Sequence, residues 1–112
     1  MTPGGSMAKY LTKAKYNAEG MKGLLKDGGT SRQAAVTKAV KALGGKVEAF
    51  YFAYGEADAY VIVDLPDPNA ALALTLTINA TGVVTTEMVP LVTPKDVDEA
   101  VATTVKYRAP GA

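Results

Sequence analysis

Between Ala8 and Tyr16 the side chains alternate in character. Tyr10, Thr12, Ala14 and Tyr16 fall on one side, and Lys9, Leu11, Lys13 and Lys15 on the other. A period of two among β-forming residues predicts a strand. Asn17 supplies an N-cap side chain, and Met21, Leu24 and Leu25 give one apolar side to a short helix over 18–26. Gly20 and Gly23 weaken that helix, since each glycine costs about 1 kcal/mol relative to alanine. Asp27-Gly28-Gly29 ends it. A second helix follows, in which Val36, Ala39, Val40 and Leu43 recur at i, i+3, i+4 and i+7. Thr30 and Gln33 have capping-box spacing at its start. Arg32, Lys38 and Lys41 lie mostly off its apolar face, and Gly44-Gly45 is a left-handed stop.

The next strand, over 47–54, is apolar on both sides. Strict alternation places Val47, Ala49, Tyr51 and Ala53 together, opposite Phe50, Phe52 and Tyr54. A turn at Gly55-Glu56-Ala57 leads into a third strand over 58–65, and the short link predicts a hairpin. Asp67 or Asn69 caps a helix over 70–80, with Leu72, Leu76 and Asn79 on one side and Leu74 and Ile78 on another. A fourth strand spans 83–92, where Pro90 is tolerated only at a sheet edge. Thr93 and Pro94 open a last helix, to about 105, with a thin stripe of Val97, Val101 and Val105. With the first two helices taken as one connection, the order is β-α-β-β-α-β plus a terminal helix. This is a ferredoxin-like α+β arrangement with an antiparallel sheet.

The doubly apolar second strand changes the picture. Helices cover one face of such a sheet, and an open face in water should be polar. A second copy of the chain is the simplest cover, so the sheets are expected to pack face to face in a homo-oligomer. The alternative is that the last helix folds back over the open face. Domain limits follow: residues 1–6 lack any pattern and read as a leader or expression scar, 7–106 form the domain, and 107–112 form a tail.

Composition narrows the chemistry. The 112 residues contain no Cys and no His. Thiolate nucleophiles, disulfides, imidazole acid–base catalysis and the usual zinc sites are therefore excluded. The net charge of +1 argues against a general nucleic-acid binder. No apolar run is long enough for a membrane span and no secretory signal is visible, so a cytoplasmic protein is expected. Asp64, Asp67, Asn69, Asp96, Asp98 and Glu99 do not match a calcium loop, and no phosphate-binding loop exists, so neither metal nor cofactor is expected.

A few residues are candidates for function. Asp58, beside a glycine turn, could act as a general base at a cavity mouth; the commoner role is a turn residue bonding backbone N–H groups. Gly55 is expected to supply a positive φ or a close backbone approach. Lys9, Lys13 and Lys15 form a row that attracts an anion, pairs with Glu48 or Glu87 on neighbouring strands, or simply lies in solvent. Tyr10, Tyr16, Tyr51, Tyr54 and Tyr60 could line a pocket with hydroxyls or simply pack.

The segment Tyr54-Gly-Glu-Ala-Asp-Ala-Tyr60, followed by Val61-Ile-Val-Asp-Leu-Pro-Asp67, resembles the signature of GYD-domain proteins. Tyr16-Asn-Ala-Glu-Gly20 and Ala42-Leu-Gly-Gly-Lys46 fit the same family, and the resemblance spans about residues 7–93. The motif's glycine is Gly55 and its aspartate Asp58, while Ala57 stands where tyrosine is usual. The resemblance implies a dimeric α/β barrel in which two ferredoxin-like sheets pack together. It supplies architecture and no activity. The resulting expectation is a homo-oligomeric module that takes a small apolar or anionic ligand between its sheets, near Tyr16, Phe52, Tyr54, Asp58 and Tyr60. The rivals are a cofactor-independent oxygenase or isomerase using Asp58, and a structural assembly protein.

Overall fold

The computed structural model describes residues 7–112, so the leader assigned to residues 1–6 lies outside the described residues. Eight elements follow one another: β1 (Ala8–Tyr16), α1 (Ala18–Asp27), α2 (Gly29–Ala42), β2 (Lys46–Phe52), β3 (Ala59–Leu65), α3 (Pro68–Ala80), β4 (Val84–Leu91) and α4 (Pro94–Val101). The strands form one antiparallel sheet in the order β2-β3-β1-β4. This is the ferredoxin-like order with an additional C-terminal helix. Pro90 lies on β4, an edge strand, where a missing N–H breaks no ladder.

Local chemistry sets the helix starts. The Asn17 side chain accepts from the Gly20 N–H at 2.9 Å, and that of Asp67 from the Ala70 N–H at 2.8 Å. Thr93 and Asp96 form a reciprocal capping box at α4. The Thr93 backbone N–H and hydroxyl beside Asp96 hold its carboxyl below the ordinary range. Helix α2 departs from expectation. It begins at Gly29 with Gly28 as N-cap, at φ 82°, and no side chain caps it. Thr30 therefore sits inside the first turn, and the expected Thr30–Gln33 box does not form. Gly55 likewise departs: the positive-φ glycines among the described residues are Gly28, Gly44, Gly82 and Gly111.

The strand register sorts side chains into two faces. On the helix-covered face the rows read Val47–Val63–Tyr10–Pro90, Phe50–Val61–Thr12–Met88 and Phe52–Ala59–Ala14–Thr86. Val40, Leu74, Ala70 and Ala71 pack onto this face from α2 and α3 and close the core around Val63 and Leu65. On the opposite, open face lie Ala49–Ile62–Leu11–Val89 and Tyr51–Tyr60–Lys13–Glu87. The placement of Val47 beside Ala49 and Tyr51 is corrected here. Glu48 is an extra residue in a bulge between Val47 and Ala49, which turns Val47 to the side of Phe50 and Phe52. A bulge breaks strict alternation, and no residue pattern announced it.

Close approach explains one glycine that helix propensity alone disfavours. A Cβ on Gly20 would stand 2.3 Å from the Val83 carbonyl oxygen, so only glycine lets α1 rest against the strand-entry loop. At the other end of the chain, α4 is shorter than expected and buries no residue. It does not cover the open face. The segment beyond Leu91 is exposed throughout, and the radius of gyration, 17.1 Å, exceeds the roughly 13 Å expected of a compact chain of this length. Residues 92–112 thus form an arm carrying Val97, Val101, Val105 and Tyr107 in solvent.

Candidate functional site

The five residues singled out for ligand binding do not converge. Tyr16 closes β1 on the helix side and is buried. Phe52 stands on the same face at the β2 edge, in edge-to-face contact with Phe50 at 5.2 Å. Tyr60 faces the open side, paired across the ladder with Tyr51. Tyr54 is fully exposed, at 104%. Asp58 lies between the faces, with both carboxylate oxygens engaged. Its Oδ2 accepts from the Tyr16 backbone N–H at 2.9 Å, and its Oδ1 lies 3.5 Å from Lys15 Nζ. Its own backbone N–H donates to the Ala14 carbonyl, and its carbonyl accepts from Ala53 N–H, both at 2.8 Å. Asp58 therefore ties the β2–β3 connection to the end of β1. Asp58→Ala would leave the Tyr16 N–H without its acceptor, an expected loss of about 1–2 kcal/mol by urea unfolding, whereas Asp58→Asn keeps an acceptor and should lose less.

The lysine row on the open face is paired. Lys9 bonds Asp64 at 2.8 Å and also engages Glu48, while Lys13 reaches Glu56 at 3.5 Å and Glu87 at 3.8 Å. The carboxylates of Asp64 and Glu48 raise the Lys9 ammonium above its ordinary pKa. Its charges are met by its own neighbours, which removes the reason for an anion to settle there. Between the paired rows runs the half-buried apolar row of Ile62, Leu11 and Val89.

A cavity lies elsewhere, on the helix-covered side and within one chain. Its outer part is a cleft of about 270 Å³ between α1, α3 and the ends of β1 and β4, lined by Gly20, Leu24, Thr81 and Val83 among others. Tyr16, Arg32, Ile78 and Val84 belong both to this cleft and to an inner pocket of about 30 Å³ beneath it. The inner walls are almost wholly apolar: Ala14, Val36, Phe50, Val61, Val63 and Leu74. Besides Tyr16 and Arg32, two threonines interrupt them. Thr86 is satisfied, its hydroxyl and backbone N–H both donating to Asn79 Oδ1 at 3.0 and 2.8 Å. Thr12 is not: at 6% exposure, its hydroxyl is the buried side-chain polar atom without a hydrogen-bond partner among the described residues. Leaving a buried hydroxyl unpaired costs about 1–3 kcal/mol, so such a group calls for an explanation.

Arg32 is the second unusual member. It sits half-buried in the first turn of α2, where a positive charge opposes the helix dipole, and that turn holds no acidic residue. Among the described residues it makes no ion pair within 4 Å. Neither Thr12 nor Arg32 stands out in sequence. The available signals were a lone threonine in the apolar row of a strand and a first-turn arginine without a neighbouring acid. Both are weak until the fold brings them to one cavity. Among the described residues, no three His, Cys, Asp or Glu side chains gather as a cation site. No helix among them is long and apolar enough to cross a membrane.

No curated protein matches the sequence. A crystal structure of a protein of unknown function from Nitrosomonas europaea is similar over 80% of this chain and 94% of its own, at 18% identity and a TM-score of 0.42. The GYD domain model matches residues 10–101, from the middle of β1 to the end of α4. Ala57 is buried within the matched span. With that match over most of its length, the chain belongs to the GYD domain family.

Proposed function

We propose that this chain is a small-molecule-binding module whose ligand sits between sheet and helices inside each chain. The observation that carries this reading is the cleft that shares Tyr16, Arg32, Ile78 and Val84 with an adjoining apolar pocket, whose lining includes Thr12 with its unpartnered hydroxyl. Apolar concave space with a few placed polar groups is the usual form of a small-molecule site. The sequence suggested a site between the sheets of two copies. The cleft within one chain is the better candidate, because on the open face the lysines are already paired and Tyr51 stands in solvent. Native mass spectrometry tests the reading. A co-purified mass that leaves on denaturation, and that is missing from an Ile78→Trp variant with the cleft filled, supports it. Bare subunits from both proteins, with no small molecule protecting the chain against heat, would count against it.

A second reading concerns assembly. The apolar row Ala49, Ile62, Leu11 and Val89, flanked by Tyr51 at 70% exposure and by ion-paired rows, favours packing against the same face of another copy. Ile62→Glu should then lower the solution mass to that of one chain. A wild-type monomer at micromolar concentration would sink the idea.

A further inference from the structure

We infer that the cleft takes a small monocarboxylate with an apolar body, its anionic group paired with Arg32 and its far end reaching toward Thr12; this rests on the binding reading above and names its ligand class. The first support is electrostatic. Arg32 is half-buried and has no ion-pair partner among the described residues. A guanidinium held this way is a ready partner for a carboxylate, which it can bind through two parallel hydrogen bonds. The adjacent start of α2 adds to this, since no side chain caps it and no acidic residue occupies its first turn.

The second support is independent of charge. Thr12 lines the same inner pocket as Arg32, and its hydroxyl is buried without a partner among the described residues. A ligand oxygen reaching it would remove the unpaired group. Ile78, Val84, Val61 and Phe50 line the same pocket and accept only apolar surface. The best fit is an elongated molecule, polar at both ends and apolar between.

The rim limits the charge. Glu19 and Asp27 line the outer cleft but not the inner pocket, whereas Arg32 belongs to both. Glu19 is held by Lys22 at 3.4 Å. The two rim carboxylates disfavour dianions and polyphosphates, which one arginine could not neutralise. The volumes, about 270 Å³ outside and about 30 Å³ within, suit a single aromatic ring or a short branched chain rather than a long acyl tail.

The experiment is titration calorimetry on the full chain with 4-hydroxybenzoate, benzoate, benzyl alcohol and inorganic phosphate, with binding located by amide chemical shifts. The expected result is saturable binding of both carboxylates that shifts Gly20, Gly23 and Val84. Arg32→Gln should weaken them at least tenfold and leave benzyl alcohol unchanged, while Arg32→Lys, which keeps the charge without the paired donors, should weaken them less than Arg32→Gln does. Thr12→Val, which keeps the shape without the hydroxyl, should erase the advantage of 4-hydroxybenzoate over benzoate. Phosphate should not compete. In the wild type alone, carboxylate affinity should fall with added salt and benzyl alcohol affinity should not, which keeps the test decisive if a variant misfolds. Benzyl alcohol binding in the cleft as tightly as the carboxylates, whatever stands at 32, would overturn the ligand class and leave the binding site in place. Absence of any shift at the cleft residues with every probe would overturn both.

Discussion

Leu65→Ala is expected to lower the unfolding free energy by about 4 kcal/mol, the upper part of the range for a fully buried leucine. Leu65 ends β3, a central strand, and is 0% exposed. Its neighbours in the core, Val40, Val63 and Ala70, come from α2, β3 and α3, so no single element can move in to fill the space. A domain of this size has about 5–15 kcal/mol in all. The loss should therefore appear as a fall in Tm of roughly 20 °C. Urea unfolding with an unchanged m-value would attribute it to the native core. A loss under 1 kcal/mol would mean that the α2–β3–α3 junction is not packed as described.

Gly45→Ala is expected to cost about 3 kcal/mol, for a different reason. The new Cβ would lie 2.3 Å from the Asp64 carbonyl oxygen, 2.8 Å from Leu65 Cδ2 and 3.1 Å from Val40 Cγ1. The first of these is backbone in a central strand and cannot swing aside, so either the entry to β2 or the β3 ladder must shift. Overpacking of this kind costs about 1–3 kcal/mol and occasionally more. Gly23→Ala is the control. Nothing lies within 4 Å of its Cβ, and it sits inside α1, so alanine there should stabilise by about 0.5–1 kcal/mol. Equal effects at the two sites would refute the close approach at Gly45.

These two glycines also show how far sequence patterns reach. Propensity treats Gly20 and Gly23 alike as weak points of α1. In the fold, Gly20 admits the Val83 carbonyl and Gly23 admits nothing. The difference lies in what a distant part of the chain brings near. The same holds for Gly45, which reads as half of a helix stop but serves to let β2 pass β3. Its neighbour Gly44, at φ 84°, carries the left-handed turn.

Asp58 illustrates the limit for function. A carboxylate after a glycine turn reads equally as a base or as a turn residue. Only the register of β1 against β3 puts the Tyr16 N–H 2.9 Å from its oxygen and Lys15 on its other side. The lysine row behaved similarly: its spacing on β1 was plain, but pairing with Asp64, Glu56 and Glu87 depends on which strands lie beside it.

The sequence by itself determined the element order, the caps at Asn17 and Thr93, the choice of Asp67 or Asn69 for α3, the edge position of Pro90 and the ferredoxin-like class. Each of these follows from local periodicity or from a side chain bonding backbone within three residues, and such interactions are written into neighbouring letters. The exclusion of thiol and imidazole chemistry needed composition alone. The tertiary structure decided what depends on residues far apart in the chain: the bulge at Glu48 that turns Val47 inward, the exposed C-terminal arm, and the cavity where Thr12 of β1 and Arg32 of α2 meet. Thr12 and Arg32 stand twenty positions apart, with the whole of α1 between them. Only packing α2 across the sheet gives them a common pocket, and no local pattern encodes the space left between a sheet and its helices.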